Sequence, residues 1–299
     1  MAYKNFNSSD VAFLKAVRDC SPNVVKFLTG LASGNEEAGI DYDFLNVLGC
    51  RQYDGKGDYF RVVQVAQQDG SIQSPGLRTY DEQCQTYAVG RNVESTVLSY
   101  QGVTVPKILR GGWSKLVKSD RKSGSYVVTN AWGGDSYHNY GLAVDICLRH
   151  FGDAVPESLV MTVGGVKYDS LEKIYRRCGL LAWAKKCHLE WGGTWTDFPD
   201  VVHFQDTDYR PIPDRVYFGC FNLRNRANCS FQTCKDYWAG KFDADLEKFS
   251  SALSGKSDTD ITSGSEKVPT FSEGGLKVAG GLGVLLLLGG LAYWLHKRG

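Results

Sequence analysis

The amino-acid sequence predicts an α+β domain in which helices flank a small antiparallel sheet. The chain has 299 residues, 42% of them hydrophobic, which is enough to bury a sizeable core. Aromatic residues make up 12% of the chain, which argues against a disordered protein. Strand-like and helical segments are mixed without a strict strand–helix–strand rhythm, which favours an antiparallel over a parallel sheet.

The first part of the chain, residues 1–60, is expected to be a helical region with no assigned role. Ser9 and Asp10 offer an N-cap before VAFLKAV, where apolar residues recur at helical spacing. NVVKFLTGLASG is expected to form a second helix that ends at glycine. Neither segment contains a pattern typical of catalysis or ligand binding.

The middle of the chain, residues 61–240, is expected to be the functional domain. Segments with strand character are YFRVVQVAQQ (a short strand or a buried helix), SYVVTNA, GLAVDICL and VVHFQ. Segments predicted to be helical are YDEQCQTYAVG and SLEKIYRRCGLLAWAKKC, the second with an apolar stripe along one face.

A basic insert at about residues 101–125 interrupts this domain. It contains six lysines and arginines against one acidic residue. It is either a solvated loop or a patch for an anionic polymer or lipid headgroups. The formal net charge of the whole chain is only +1, and no nucleic-acid-binding motif is present, so we expect no nucleic-acid partner.

The C-terminal part of the chain predicts a tether and an anchor. Residues 250–275 are rich in Ser, Thr, Gly and charged residues and are expected to be a flexible linker. Residues 276–296 include eighteen uncharged residues, VAGGLGVLLLLGGLAYWL. As a helix these span about 27 Å, close to the roughly 30 Å hydrocarbon core of a bilayer. This predicts a single-pass transmembrane helix, with a buried core helix as the alternative.

Nine cysteines are scattered along the chain without a C-x-x-C pair. This usage predicts mostly buried or free thiols rather than a disulfide framework. Cys220, Cys229 and Cys234 are near enough in sequence for one local bridge in an oxidising compartment. The Met1 segment lacks an apolar stretch, so no cleavable signal peptide is expected.

Two of the five histidines, His138 and His203, lie in surroundings that suggest a metal site. His138 precedes Asp145 by seven residues, with Gly141 between them to let the chain fold tightly, and His203 follows Asp200 by three. Two imidazoles and one carboxylate are suitable ligands for a hydrolytic zinc site, which also needs a base near its water. A single histidine is more often a hydrogen-bonded structural residue, and the spacing alone leaves both interpretations open.

Three blocks of sequence resemble the LAS-type zinc peptidases, which are the D-Ala-D-Ala metallopeptidases and their relatives. SYHNYGLAVDI resembles the family signature SxHxxGxAxD. LEWGGTWTDFPDVVHFQ resembles its second half in the L-alanyl-D-glutamate peptidases of phage endolysins and bacterial wall-remodelling enzymes. GLRTYDEQCQTYAVGR resembles the helix of that branch that carries an arginine and a glutamine. The blocks lie in the expected order within residues 76–205, somewhat under half of the chain.

The resemblance implies a Zn²⁺ ion bound by His138, Asp145 and His203. It implies that Asp200 is the general base and later the acid. Arg78 matches the arginine that steadies the substrate or polarises its carbonyl group.

Further positions match the family in substrate-binding or supporting roles; they are Ser136, Gln83, Glu190 and Trp191. Arg51, in the segment LGCRQYDGKGDYFRV, is a minor competitor for the role of Arg78. The basic insert is longer than is usual in the family, which leaves substrate size and access open.

The resemblance and the predicted tail together imply a membrane-anchored, zinc-dependent endopeptidase of peptidoglycan stem peptides, a phage lytic or virion-associated enzyme that cuts an L-Ala–D-Glu type bond. Its catalytic domain would face the cell wall or periplasm, or be carried in a virion membrane. Alternatives are a D-Ala-D-Ala carboxypeptidase, a non-catalytic wall-binding module of the same fold, and a pore-forming or fusion tail carrying a passenger domain. Expected partners are peptidoglycan, the lipid bilayer, and further copies of the chain or virion proteins.

Overall fold

The structure is a computed structural model of the chain. It describes residues 16–50, 59–63, 74–88, 99–105, 129–149, 151–152, 154–219 and 230–255. The predicted helix start at Ser9 and Asp10, the competitor Arg51 and residues 106–125 of the basic insert lie outside the described residues.

The described elements confirm the α+β class. The helices are α1 (Pro22–Ser33), α2 (Tyr42–Val47), α3 (Tyr80–Ala88), α4 (Leu171–Arg177), α5 (Leu180–Lys186), α6 (Arg215–Tyr217), α7 (Phe231–Trp238) and α8 (Asp243–Ser254). The strands are β1 (Phe60–Val62), β2 (Ser99–Tyr100), β3 (Val103–Thr104), β4 (Ala143–Leu148), β5 (Met161–Val163), β6 (Val166–Tyr168), β7 (Leu189–Trp191) and β8 (His203–Asp206).

The central sheet contains four antiparallel strands in the order β1–β4–β8–β7. All six residues of β4 are buried, because this strand lies between β1 and β8. Two separate hairpins pair β2 with β3 and β5 with β6. The predicted strands in GLAVDICL and VVHFQ are therefore confirmed, whereas the described end of SYVVTNA, residues 129–131, is irregular.

The two faces of the central sheet carry different side chains. Phe204 of β8 lies opposite Val144 of β4, and its ring packs 5.2 Å from that of Phe27 in α1. Asp145 and His203 are the next pair in the same register. Because successive side chains of a strand point to opposite faces, this acidic–histidine pair lies on the face turned away from the α1 core.

Helix α1 belongs to the same hydrophobic core as the sheet. Ser21 caps its start by accepting a hydrogen bond from the Val24 N–H, and Gly34 ends it in a left-handed conformation with φ 61°. The predicted helix that ends at glycine is thus confirmed. The buried side chains that α1 contributes to this core are Val24, Phe27, Leu28 and Leu31.

The segment SLEKIYRRCGLLAWAKKC forms two helices, α4 and α5, rather than the single predicted helix. The break falls at Gly179, whose φ is 88°. A Cβ atom there would lie 2.5 Å from the carbonyl oxygen of Gly39, so a larger residue would meet both backbone strain and a collision. The apolar stripe continues across the break because both helices pack on the same core.

The cysteines of the described residues are buried thiols that form no disulfide bond with one another, which confirms the predicted thiols in this part of the chain. They are Cys20, Cys50, Cys84, Cys147, Cys178, Cys187 and Cys234. Cys220 and Cys229, the other members of the suggested local bridge, lie outside the described residues.

The predicted membrane location is corrected by the structure. Among the described residues, no helix is long and apolar enough to cross a bilayer. The segment 276–296, predicted to be the anchor, lies outside the described residues, as does the predicted linker from residue 256 onward. The start of that linker is the last turn of α8, because Phe249 and Leu253 are buried in a second hydrophobic cluster with residues of α3 and α6.

Candidate metal centre

Three side chains that are up to 65 residues apart in sequence meet in one buried cluster. His138 lies on a short 3-10 turn (Tyr137–Tyr140), Asp145 on β4 and His203 on β8. Their exposed fractions are 2%, 5% and 8%. Asp145 Oδ1 lies 3.2 Å from both His138 Nε2 and His203 Nδ1, and these two nitrogens are 3.1 Å apart.

The turn that carries His138 is defined at both ends. Ser136 caps its start by accepting a hydrogen bond from the His138 N–H at 3.3 Å. Gly141 ends it with φ 64°, and a Cβ atom there would lie 2.5 Å from the carbonyl oxygen of Asp19. The small residue is therefore explained by the left-handed turn and the close approach of the Asp19 backbone, rather than by folding around an ion.

Each histidine of the cluster turns one ring nitrogen (the inner nitrogen) toward the other ligands and the other (the outer nitrogen) away from them. Each outer nitrogen contacts a hydrogen-bond acceptor. His138 Nδ1 donates to the carbonyl oxygen of Gly76 at 2.8 Å, and His203 Nε2 donates to Gln205 Oε1 at 3.0 Å. Carbonyl oxygens only accept, so the proton of each neutral ring lies on the outer nitrogen and the inner nitrogen carries a lone pair.

The inner atoms of the cluster fit a metal ion. Two nitrogen lone pairs and one carboxylate oxygen face one another, and a cation satisfies all three at once. Zinc with bonds of about 2.0–2.1 Å in tetrahedral geometry holds its ligand atoms about 3.3 Å apart. The observed separations of 3.1–3.2 Å are close to this spacing, so the residues present fit zinc.

The electrostatic surroundings prepare these side chains as ligands. Burial and the charge of Arg78 lower the pKa of His138 to about 4, so this ring is neutral at neutral pH. Burial opposes ionisation of Asp145, but His138 and the Arg78 guanidinium outweigh it and hold the pKa of this carboxyl well below its usual range. Burial alone would lower the pKa of His203, but the hydrogen bond to Asp145 and the charge of Asp145 raise it.

Arg78 lies behind the carboxylate of the cluster. Its Nη2 donates to Asp145 Oδ2, the oxygen that does not face the two histidines. Its Nε donates to the Ser74 carbonyl at 3.3 Å and its Nη1 to Gln83 Oε1 at 3.4 Å. Gln83 is fully buried and also donates to the Ala131 carbonyl at 2.8 Å, so it steadies the guanidinium.

Asp200 lies at the end of the connection between β7 and β8, three residues before His203. Its N–H donates to the Gly192 carbonyl at 3.0 Å, and its Oδ1 accepts a hydrogen bond from the Val202 N–H at 3.4 Å. Burial, followed by the negative charge of Asp145, raises the pKa of Asp200. A raised pKa suits a carboxyl group that must accept a proton and return it.

Trp191 lies on the face of the sheet opposite the metal cluster. It is paired with Phe204 across the strands, and its ring packs 5.4 Å from Tyr175 in the helical core. Its Nε1 donates to the Val201 carbonyl at 2.9 Å, which ties the end of the β7–β8 connection to β7. The structure thus places Trp191 as a support of the fold rather than as a lining of the site.

Several residues beside the cluster were missed by the sequence analysis. Gln205 holds the outer nitrogen of His203 and donates to Glu190 Oε1 at 2.5 Å. The ring of Trp195 lies 5.2 Å from that of His203, at one side of a cleft lined by residues 194–198. Gln205 had a detectable signal, because the second residue after His203 on a strand shares its face.

The segment that carries this site matches a known protein family. Residues 129–206 match the family model described as D-alanyl-D-alanine carboxypeptidase. The matched segment includes all three residues of the cluster and Asp200, and begins after Arg78 and Gln83. It confirms the prediction of a peptidase domain, and the buried His–Asp–His group makes that domain compatible with zinc.

The chain is also similar to a curated bacterial protein. It is 33% identical over 97 residues to the peptidoglycan L-alanyl-D-glutamate endopeptidase CwlK of Bacillus subtilis (strain 168). The similarity covers 30% of this chain and 51% of CwlK. The chain therefore spans about half the length of the curated relative it matches.

Proposed function

We propose that the chain is a zinc-dependent peptidoglycan endopeptidase that cleaves stem peptides at an L-Ala–D-Glu type bond. The observation that carries this proposal is the buried group of His138, Asp145 and His203, whose three inner atoms lie within 3.2 Å of one another as acceptors. The similarity to CwlK supports the choice of bond. A phage lytic or virion-associated setting, and protein partners, stay predictions of the sequence.

The residues of the chain have distinct parts in this reaction. His138, Asp145 and His203 would hold a zinc ion, which would supply Lewis acidity and lower the pKa of water at the site to about 7. Asp200 accepts a proton during attack on the amide and returns it to the leaving amine. Arg78 fixes the carboxylate of Asp145. Its positive charge behind that carboxylate would help to stabilise the negative charge that develops on the substrate carbonyl oxygen in the transition state.

The substrate reaches this site along the cleft lined by residues 194–198. Trp195 connects the cleft to the cluster, because its ring lies against that of His203. Its indole is half-buried and offers an apolar surface for the short side chains of a stem peptide.

A D-Ala-D-Ala carboxypeptidase is the second candidate function. The description of the matching family model favours it. The two activities share the metal chemistry and differ in product, since the carboxypeptidase releases free D-alanine and the endopeptidase leaves a new amino terminus on D-glutamate.

Digestion of purified peptidoglycan tests both candidates. The full chain is incubated with muropeptides, with zinc or with a chelator, and the products are identified by mass spectrometry. We expect zinc-dependent fragments cut between L-Ala and D-Glu, and free D-alanine instead if the second candidate is correct. His203→Ala should abolish cleavage, whereas the matched control His188→Ala, which removes an exposed histidine paired with Asp208, should not. Wall binding without any cleavage would contradict the proposal and favour a non-catalytic module.

A further inference from the structure

We propose that Gln205 and Glu190 are positioning residues that set the tautomer of His203 and so aim its Nδ1 lone pair at the metal. The inference rests on the zinc site of the proposed function and extends it to two side chains that are not ligands.

The register of the sheet brings these three side chains together. Gln205 follows His203 by two residues on β8, so both side chains lie on the same face. Glu190 of β7 is the residue directly opposite Gln205 in the pairing of the two strands. His203 Nε2 lies 3.0 Å from Gln205 Oε1, and Gln205 Nε2 donates to Glu190 Oε1 at 2.5 Å.

The donor and acceptor groups of these side chains allow only one direction for the two hydrogen bonds that join His203, Gln205 and Glu190. An ionised carboxylate only accepts hydrogen bonds, so Glu190 turns the NH₂ end of the Gln205 amide toward itself. The oxygen of that amide then faces His203 and can only accept. His203 must therefore carry its proton on Nε2, which leaves Nδ1 as a metal ligand.

A competing hydrogen bond would favour the other tautomer of His203, so the tautomer has to be fixed by neighbouring residues. His203 Nδ1 lies 3.2 Å from Asp145 Oδ1, so in the metal-free protein a proton on Nδ1 would find a carboxylate acceptor. That tautomer blocks the ligand nitrogen. The buried acceptor on the other side of the ring, Gln205, which is 9% exposed, opposes it.

The other histidine of the cluster needs no such device. His138 Nδ1 donates to the backbone carbonyl of Gly76, an acceptor in any state of the surroundings. The acceptor for His203 is instead an amide, which can turn by 180° and present a donor. Glu190 removes that ambiguity, which is why we assign the two residues one joint role.

Zinc affinity of substituted proteins tests this role. The metal-free full chain is titrated with zinc against a competing chelator. Gln205→Leu removes the acceptor at similar volume, and we expect its dissociation constant for zinc to rise about 10–100-fold, as for other partners of metal ligands. The matched control is Gln232→Leu, which removes an exposed glutamine that also donates to a carboxylate, Asp236, and should leave the affinity unchanged.

An exchange of the two side chains separates hydrogen-bond direction from folding. In Gln205→Glu alone, two carboxylates face each other across the strands, and we expect weaker zinc binding. In the double variant Gln205→Glu/Glu190→Gln, the new carboxylate accepts from both His203 and the new amide, so the affinity should return to within a few-fold of the original. No recovery in a double variant that melts at the original temperature would contradict the inference.

The tautomer itself is measured by ¹⁵N nuclear magnetic resonance of the histidine rings in the metal-free protein, at a pH high enough for the His203 ring to be neutral. We expect His203 to be protonated on Nε2 in the original chain and to shift toward protonation on Nδ1 in Gln205→Leu. An original chain with the proton on Nδ1, or a Gln205→Leu variant with unchanged zinc affinity, would overturn the inference. An original chain that binds no zinc would instead overturn the proposed function and leave the tautomer measurement intact.

Discussion

Strand β8 carries a buried polar cluster at each end, and the two clusters differ in how their hydrogen bonds are satisfied. At its start, His203 joins a group whose inner atoms are all acceptors. At its end, Asp206 is 1% exposed and surrounded by donors. The groups that donate to it are Ser21 Oγ (2.5 Å), Asn23 Nδ2 (3.1 Å) and the N–H groups of Asp208 (2.9 Å) and Tyr209 (3.3 Å).

The difference separates a structural cluster from a functional one. Buried polar groups are normally hydrogen-bonded, and the carboxylate of Asp206 meets this rule entirely within the protein. It thereby ties Ser21, the cap of α1, to a strand 185 residues away. The inner atoms of the His203 cluster are three facing acceptors when both rings are neutral, and one cation lying among them satisfies all three. Substitutions at the two ends of β8 should therefore separate function from stability.

Removal of a ligand should have the largest effect. His138→Ala leaves only two of the three metal ligands, and we expect peptidase activity to fall at least about a thousandfold, since metal catalysis contributes several kcal/mol to the barrier. In the absence of metal, the free energy of unfolding of the variant should fall by much less than the several kcal/mol that correspond to the loss of activity. The measurement is turnover of muropeptides together with denaturant unfolding, and a folded variant with near-normal turnover would contradict the assignment.

The second prediction concerns the proposed base. Asp200→Asn should lower turnover about 10²–10⁴-fold, the range of general acid–base catalysis. The raised pKa of Asp200 means that the folded state favours the protonated form, so above that pKa the ionised carboxylate costs stability. The metal-free variant should thus be at least as stable at neutral pH as the original. A large loss of stability with normal turnover would place Asp200 among the structural residues instead.

The third prediction addresses the opposite end of β8. Asp206→Ala leaves four buried or half-buried donors without their acceptor, and we expect the free energy of unfolding to fall by about 3–5 kcal/mol. The zinc affinity of the molecules that remain folded should not change. The neighbouring control Asp208→Ala removes an exposed carboxylate and should cost about 0.5 kcal/mol or less. Weaker zinc binding in folded Asp206→Ala would show that the two clusters are coupled.

The smallest effect is expected from pH. Zinc binds a neutral imidazole, and the pKa of His203 is raised by Asp145 despite the opposing effect of burial. Zinc affinity should therefore begin to fall, as pH decreases, at a higher pH than for an ordinary histidine. The pKa of His138 is about 4, so over the range from about pH 8 to about pH 5 the binding curve should show release of about one proton per zinc. Release of two protons would mean that both rings titrate.

The same comparison shows what the sequence could predict. The spacing of His138 and Asp145 and the run that ends in His203 lie within single local segments, so pattern and resemblance were enough to identify them. The strands β4 and β8 were predictable for the same reason. The hydrogen bond between Ser21 and Asp206 depends on contact between distant segments, and no local pattern encodes it.

The roles of several predicted site residues depend on strand register and could not be read locally. Glu190 and Trp191 are adjacent in sequence, yet the alternation of β7 puts Glu190 beside Gln205 and Trp191 against the helical core. The break between α4 and α5 was also missed, because the apolar stripe runs through it while the close approach of residue 39 requires Gly179. The candidate metal ligands were predictable from local sequence, whereas the contacts that depend on pairing between strands were not.

The central claim is that the inner atoms of His138, Asp145 and His203 form a zinc site, and a zinc titration of the metal-free full chain tests it most directly. We predict one zinc ion per chain, binding that is lost in Asp145→Asn, and unchanged binding in the control Asp208→Asn. A chain that binds no zinc, or an Asp145→Asn variant that binds zinc as tightly as the original, would contradict the claim.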